Sequence, residues 1–182
     1  MADLAANYLA DMVRTFKNYR TLGERALAAT PDEHLLTELD ANSNSVAIIV
    51  KHIGGNLRSR FTDFLTTDGE KPDRNRDTEF ELSGPPTRAD VMRWWEIGWS
   101  AVMGSIEALT PADLDKTVHI RGEAFTVVEA LNRSIGHTAY HVGQIVYVAR
   151  HFAGPSWKSL TIPKGQSASF SKDNFKDRGL AR

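Results

Sequence analysis

Thr126-Val127-Val128-Glu129-Ala130-Leu131-Asn132-Arg133-Ser134-Ile135-Gly136-His137-Thr138-Ala139-Tyr140-His141-Val142-Gly143-Gln144 is the stretch on which the reading of the fold turns. Thr126 followed three residues later by Glu129 forms a capping box. Its hydroxyl and carboxylate each satisfy a backbone N–H that a helix start would leave unpaired. Beyond the box, Leu131, Ile135, Thr138, Val142, Ile145 and Ala149 recur every three or four residues, which predicts one long amphipathic helix running to about Phe152 and stopped by Gly154-Pro155. Beside this apolar stripe lies a second one of His137, His141, Gln144 and Val148. The two imidazoles stand one turn apart and point the same way.

Three further segments carry the same pattern. From Asp3 to about Ala29, Leu4, Tyr8, Met12, Phe16, Tyr19 and Leu22 make one stripe. Thr30-Pro31-Asp32-Glu33 then offers a cap, a proline suited to a first helical position and an acid, which predicts a short helix. The loop Asp40-Ala41-Asn42-Ser43-Asn44-Ser45 leads into Val46, Ile49, Ile53, Leu57, Phe61 and Phe64, a second long helix over 46–64. Gly84-Pro85-Pro86 breaks the chain before a third helix, with an inner stripe of Val91, Trp95, Gly98, Val102, Ser105 and Leu109.

The connections differ in kind. Residues 67–77 are polar without periodicity and read as a long surface connection, of the sort that often carries function in compact domains. Within it, the run Lys71 to Arg76 reads as solvated rather than as an anion site. Thr117 to Ile120 and Glu123 to Phe125 flank Arg121-Gly122, which predicts a β-hairpin. In the tail, Trp157, Leu160 and Ile162 form an apolar cluster expected to dock, whereas the end, with Phe170 and Phe175, is expected to be mobile.

Four long helices with two long connections describe an all-α four-helix bundle, with a short β-hairpin before the last helix and an irregular C-terminal tail. At 182 residues and 41% hydrophobic content, a single domain over 1–182 is expected, with 155–182 as its tail. The formal net charge is -1, from 22 basic and 23 acidic residues, and no helix carries a basic stripe, so nucleic acid is not an expected partner. The absence of cysteine excludes thiolate nucleophiles and zinc–thiolate sites, leaving imidazole and carboxylate as the strong metal ligands. With neither a leader pattern at Met1-Ala2-Asp3-Leu4 nor a stretch near the roughly 20 apolar residues of a span, no membrane association and a cytoplasmic location are expected.

Two readings of the histidines remain open on residues alone. His52, on the second helix, would complete a three-histidine metal site with His137 and His141 if the two helices pack together. Alternatively, the three are interior histidines hydrogen-bonded to backbone or polar neighbours. Asn56 and Gln144, each near a ligand by helical spacing, are candidates to support the ligands or orient a substrate, and Tyr140 is a weaker one. Thr138 stands where a zinc peptidase motif needs glutamate, which disfavours peptidase chemistry. His34, His119 and His151 read as surface histidines, and Trp94, Trp95 and Trp99 as core or dimer interface rather than a substrate pocket.

Several stretches together resemble a known family. They are Ser43 to His52, Asp68 to Pro72, Arg74 to Asp77, Thr138 to Tyr147 and Trp157 to Gln166. In these the chain resembles the DinB-like superfamily of metal-binding four-helix bundles, and more closely its uncharacterised bacterial branch. The resemblance implies that His52, His137 and His141 hold one divalent ion, zinc or nickel being favoured. It also implies a metal-dependent enzyme that activates a low-molecular-weight thiol, or water, for transfer or hydrolysis on a small molecule. The branch supplies neither a substrate nor catalytic residues, and no stretch of this chain marks a thiol pocket. The competing expectation is a noncatalytic metal- or ligand-binding module whose ion stiffens a homodimeric bundle. The DNA-damage association of the family name finds no support in the charge balance.

Overall fold

Each of the four long stripes becomes a helix. In the computed structural model, which describes residues 3–169, α1 spans Leu4–Ala29, α2 Val46–Phe61, α3 Arg88–Glu107 and α4 Val127–Ala153. The Asp3 carboxylate accepts from the N–H groups of Ala5 and Ala6 to start α1, and the Ser45 hydroxyl accepts from Ile48 N–H to start α2. Full capping boxes, Thr87 with Asp90 and Thr126 with Glu129, open α3 and α4. Each such cap contributes about 1 kcal/mol. Among the described residues, no helix is long and apolar enough to cross a membrane.

β1 (Thr117–Ile120) and β2 (Glu123–Thr126) pair antiparallel, with Ile120 opposite Glu123 and Thr117 opposite Thr126. Arg121 and Gly122 both take positive φ, 57° and 76°, as a two-residue turn of this hand requires. The hairpin feeds directly into α4, whose N-cap is the last residue of β2.

Within the bundle α2 packs most extensively on α3 and α1 on α4, while α2 also meets α4. Phe16, Phe61, Trp95 and Trp99 are fully buried at the centre, Phe16 meeting Phe61 and Trp99 edge-on at 6.0 and 6.3 Å. The tryptophans Trp95 and Trp99 are thus core, and Trp94 packs partly buried against it. α2 and α3 touch at their backbones. A Cβ on Gly98 would lie 2.7 Å from the Gly54 Cα, and one on Gly54 would lie 2.3 Å from the Trp94 carbonyl oxygen. Glycine at both positions is what permits this approach.

Four expectations about the fold are corrected. α2 ends at Phe61 rather than Phe64 because Asp63 takes φ 48°, which no right-handed helix accommodates, although Phe64 still turns into the core. The short helix after Thr30-Pro31 is a single 3₁₀ turn, Asp32–His34, with Pro31 at its N-cap and no side-chain cap, the Thr30 hydroxyl turning back to donate to the Ala26 carbonyl of α1 at 2.9 Å. The connection after α2 is not solvated throughout. It contains a 3₁₀ turn, Asp77–Phe80, and the Arg74 side chain is only 3% exposed. In the tail Trp157 and Leu160 dock on the core as expected, while Ile162 is exposed and Phe170 and Phe175 lie outside the described residues.

Candidate metal centre

The α2–α4 contact brings His52 to His137 and His141. Their Nε2 atoms converge, His137 lying 3.4 Å from His52 and 3.1 Å from His141, and all three ligand atoms fall within 4.8 Å of one another. Imidazole nitrogens on a tetrahedral ion with bonds of about 2.0–2.1 Å are separated by about 3.3–3.4 Å. The donor set and its spacing therefore suit a divalent ion of the borderline class.

Partners on the far side of two rings select the tautomer that a metal needs. His52 donates from Nδ1 to Glu79 Oε2 at 2.8 Å, and His141 from Nδ1 to Gln144 Oε1 at 2.8 Å. Both Nε2 atoms are consequently left with lone pairs aimed at the same point. His137 differs, since its Nδ1 is buried without a hydrogen-bond partner among the described residues.

Glu79 is held in turn. Arg74 donates to it through two nitrogens, Nε to Oε1 at 2.8 Å and Nη2 to Oε2 at 3.0 Å, and also reaches Glu70 at 3.1 Å. Burial would raise the Glu79 pKa, but the hydrogen bonds from His52 and Arg74 and the charge of Arg74 outweigh it and hold the carboxyl below its usual range. An ionised Glu79 can only accept, which secures the His52 tautomer. The side chain fits because Gly55 leaves space, a Cβ there falling 2.4 Å from Glu79 Oε1.

Burial, with the neighbouring imidazoles and the charges of Arg60 and Arg74, pushes the His137 pKa down to about 3. Burial also lowers His141 to about 4, the Gln144 hydrogen bond opposing. Both rings are therefore neutral and ready to bind a cation well below neutral pH. In the unfolded chain they titrate near 6.5, so on acidification the unfolded state takes up protons first. The metal-free protein is expected to lose stability progressively as pH falls from about 6.5 toward 4, and His141→Ala to shed part of that slope. Thermal melts of metal-free samples across this range check it; a melting temperature flat between pH 7 and 5 would contradict the burial of neutral rings.

The histidines open on a cavity of about 590 Å³, which Asn56, Ser134, Tyr140 and Gln144 also line. Asn56 is 9% exposed and faces this cavity, not a ligand ring, so the partner of His52 is Glu79. Tyr140 is 63% exposed, its ring edge-on to His141 at 5.0 Å. His119 and His151 are exposed as expected, whereas His34 is half-buried and stacks on Phe152 at 4.5 Å. Glu79 and Arg74 escaped sequence reading because nothing in their spacing relates them to His52. The Gly54-Gly55 pair inside a helix is the one signal that something approaches α2 closely.

Residues 3–166 match the family described as "Protein of unknown function (DUF1572)". No curated protein matches the chain. Among solved structures, a DinB-like protein, YjoA, from Bacillus subtilis is similar at 16% identity and TM-score 0.62, over 82% of this chain and 96% of its own. YfiT from Bacillus subtilis is similar at 17% identity and TM-score 0.65, over 87% of this chain and 93% of its own. That protein is described as "a probable metal-dependent hydrolase with an unusual four-helix bundle topology". At these identities the likeness concerns the fold. The family match takes in all four helices and all three convergent histidines, and this chain belongs to the DUF1572 family, on the DinB-like four-helix bundle.

Proposed function

We propose that this protein is a divalent-metal-dependent enzyme in which His52, His137 and His141 bind the ion, zinc or nickel, and a small molecule reacts in the adjoining cavity. The observation that carries this reading is the convergence of three Nε2 atoms beside a cavity, with no fourth His, Asp or Glu grouped with them among the described residues. Such an ion, when bound, lowers the pKa of a coordinated water or thiol and so supplies a nucleophile at neutral pH. The description of YfiT supports hydrolysis as the reaction type, and the family resemblance supports thiol transfer.

The chain's own part is orientation. Glu79 and Gln144 hold the His52 and His141 rings with Nε2 toward the cavity. Ser134 sits three residues before His137 with a buried hydroxyl that has no partner among the described residues, and Asn56 lines the same cavity. Both are placed to hydrogen-bond a substrate. Among the described residues no carboxylate lines the cavity, so a proton released there passes to substrate or solvent rather than to an acidic side chain.

Cobalt(II) reconstitution tests the reading. With about one cobalt per chain, adding 2-mercaptoethanol is expected to produce a sulfur-to-metal absorption band, and the loaded protein is expected to hydrolyse an activated ester, or transfer the thiol to an electrophile, faster than the metal-free protein. A cobalt spectrum unaltered by thiol, together with equal rates for loaded and metal-free protein, would mean a closed structural site.

A further inference from the structure

The cavity wall has an unbalanced charge. Among the described residues five arginines line it, Arg60, Arg74, Arg76, Arg121 and Arg133, and no aspartate or glutamate does, in a chain whose formal net charge is -1. Behind the wall Glu70 and Glu79 supply two carboxylates. Arg60 meets Glu70 at 2.8 Å, Arg74 meets both acids at 2.8 to 3.1 Å, and Arg121 reaches Glu70 only at 3.3 and 3.5 Å. Among the described residues Glu70 and Glu79 are the acids within hydrogen-bond distance of these guanidiniums, so the wall keeps an excess of positive charge before any metal ion adds to it.

Two of the five have no hydrogen-bonded acid among the described residues. Arg76 approaches only Asp77, at 3.9 Å, beyond hydrogen-bond range and onto a carboxylate that is 91% exposed. Its guanidinium instead lies over the Phe80 ring at 5.0 Å, and that ring packs on His52 at 4.7 Å. Arg133 has no acidic partner and lies over Phe125 at 5.8 Å, one helical turn before His137. The two guanidiniums thus reach the cavity that holds the histidines from different elements, Arg76 from the residue before the Asp77–Phe80 turn and Arg133 from α4. Aromatic rings hold both while leaving their N–H forks unspent. Phe64, Phe80 and Ile120 supply apolar wall between.

We propose that the cavity takes a small organic anion, with a carboxylate or phosphate bound by Arg76 and Arg133 and an apolar body against the phenylalanines, so that its reacting end lies at the three histidines. This deepens the functional reading above, on which it rests for the position of the reacting end. Planar forks match carboxylate and phosphate oxygens in pairs, which sets orientation as well as affinity. A volume of about 590 Å³ suits a ligand of this size.

The test is calorimetric titration of metal-loaded protein with phenylacetate, phenyl phosphate and the neutral phenylacetamide, on wild type and on the R76Q/R133Q variant, with metal content measured in each sample. Both arginines belong to exposed residues, so the variant is expected to fold, and circular dichroism verifies it. The anions are expected to bind about ten- to a hundredfold more tightly than the amide, and the variant to lose that advantage while keeping its ion. An amide that binds as well as the anions, failure of all three probes, or an unchanged anion affinity in the variant overturns the proposal. The two readings fail separately. Anion binding that needs the metal but not the arginines sinks this inference alone. Arginine-dependent binding to a wild type that holds no ion sinks the metal reading and sustains the anion site.

Discussion

Glu79→Ala is expected to destabilise the metal-free protein by about 3 kcal/mol or more and to weaken metal binding about ten- to a hundredfold. Two causes act through one side chain. The Arg74 guanidinium is 3% exposed and would keep only its Glu70 contact at 3.1 Å, leaving a buried charge poorly compensated. The His52 ring would lose the acceptor that fixes its Nδ1–H, freeing the tautomer that withholds the lone pair from the ion. Glu79→Gln separates the two effects. It retains an acceptor for His52 but not the charge opposite Arg74, so affinity should recover more than stability. Urea unfolding of metal-free samples and competition with a metal chelator read the two quantities. If Glu79→Ala unfolds at the wild-type midpoint, the His52–Glu79–Arg74 chain is not the unit described above.

His141→Ala is expected to abolish most metal affinity while leaving the helical content nearly unchanged. One of three imidazoles is lost, which exceeds the roughly ten- to hundredfold cost of disturbing a ligand's hydrogen-bond partner. Alanine is the better helix former at an interior position of α4, so the backbone has no reason to open. Plasma mass spectrometry after dialysis is expected to find about one divalent ion per wild-type chain and almost none in the variant, with His52→Ala and His137→Ala behaving alike. Unchanged stoichiometry in any of the three would remove that residue from the site. Because the rings of His137 and His141 stay neutral when buried, wild-type occupancy should persist on mild acidification, until protons compete at pH values approaching 4.

Part of this centre was legible in advance because its members are neighbours along a helix. His137 and His141 fall on one side of α4 by spacing alone, and Gln144, one turn further, meets His141 as helical geometry requires. His52 is another matter. Its spacing marks only a position at the edge of a stripe, so the residues join it to the other two only on condition that α2 and α4 pack together, and the family resemblance adds weight to that condition. Asn56 shares its helix face yet supports no ligand, because the partner comes from outside α2 altogether.

The departure that matters most for the site lies in the connection between α2 and α3. A run of charged residues without periodicity usually marks solvent, and for Asp73 and Asn75 it does. Arg74 is the exception, because Glu70 and Glu79 approach it from both sides and Gly55 leaves room for the second acid. Burial of a charge depends on its counter-charges, and here the first lies four residues before it and the second five after, across a turn that no sequence pattern announces.

Caps, stripes and turn residues are interactions within a few positions of the chain, so the four helices, the Arg121-Gly122 hairpin and the imidazole pair on α4 could be read directly from residue order. The third imidazole, the Glu79–Arg74 support behind it and the five arginines around one cavity join residues far apart in the chain. Their meeting depends on which helix faces pack, on the close α2–α3 approach at Gly54 and Gly98, and on how the 62–87 connection folds back over α2. Those are long-range choices made by the whole core at once, and only the tertiary structure decides them.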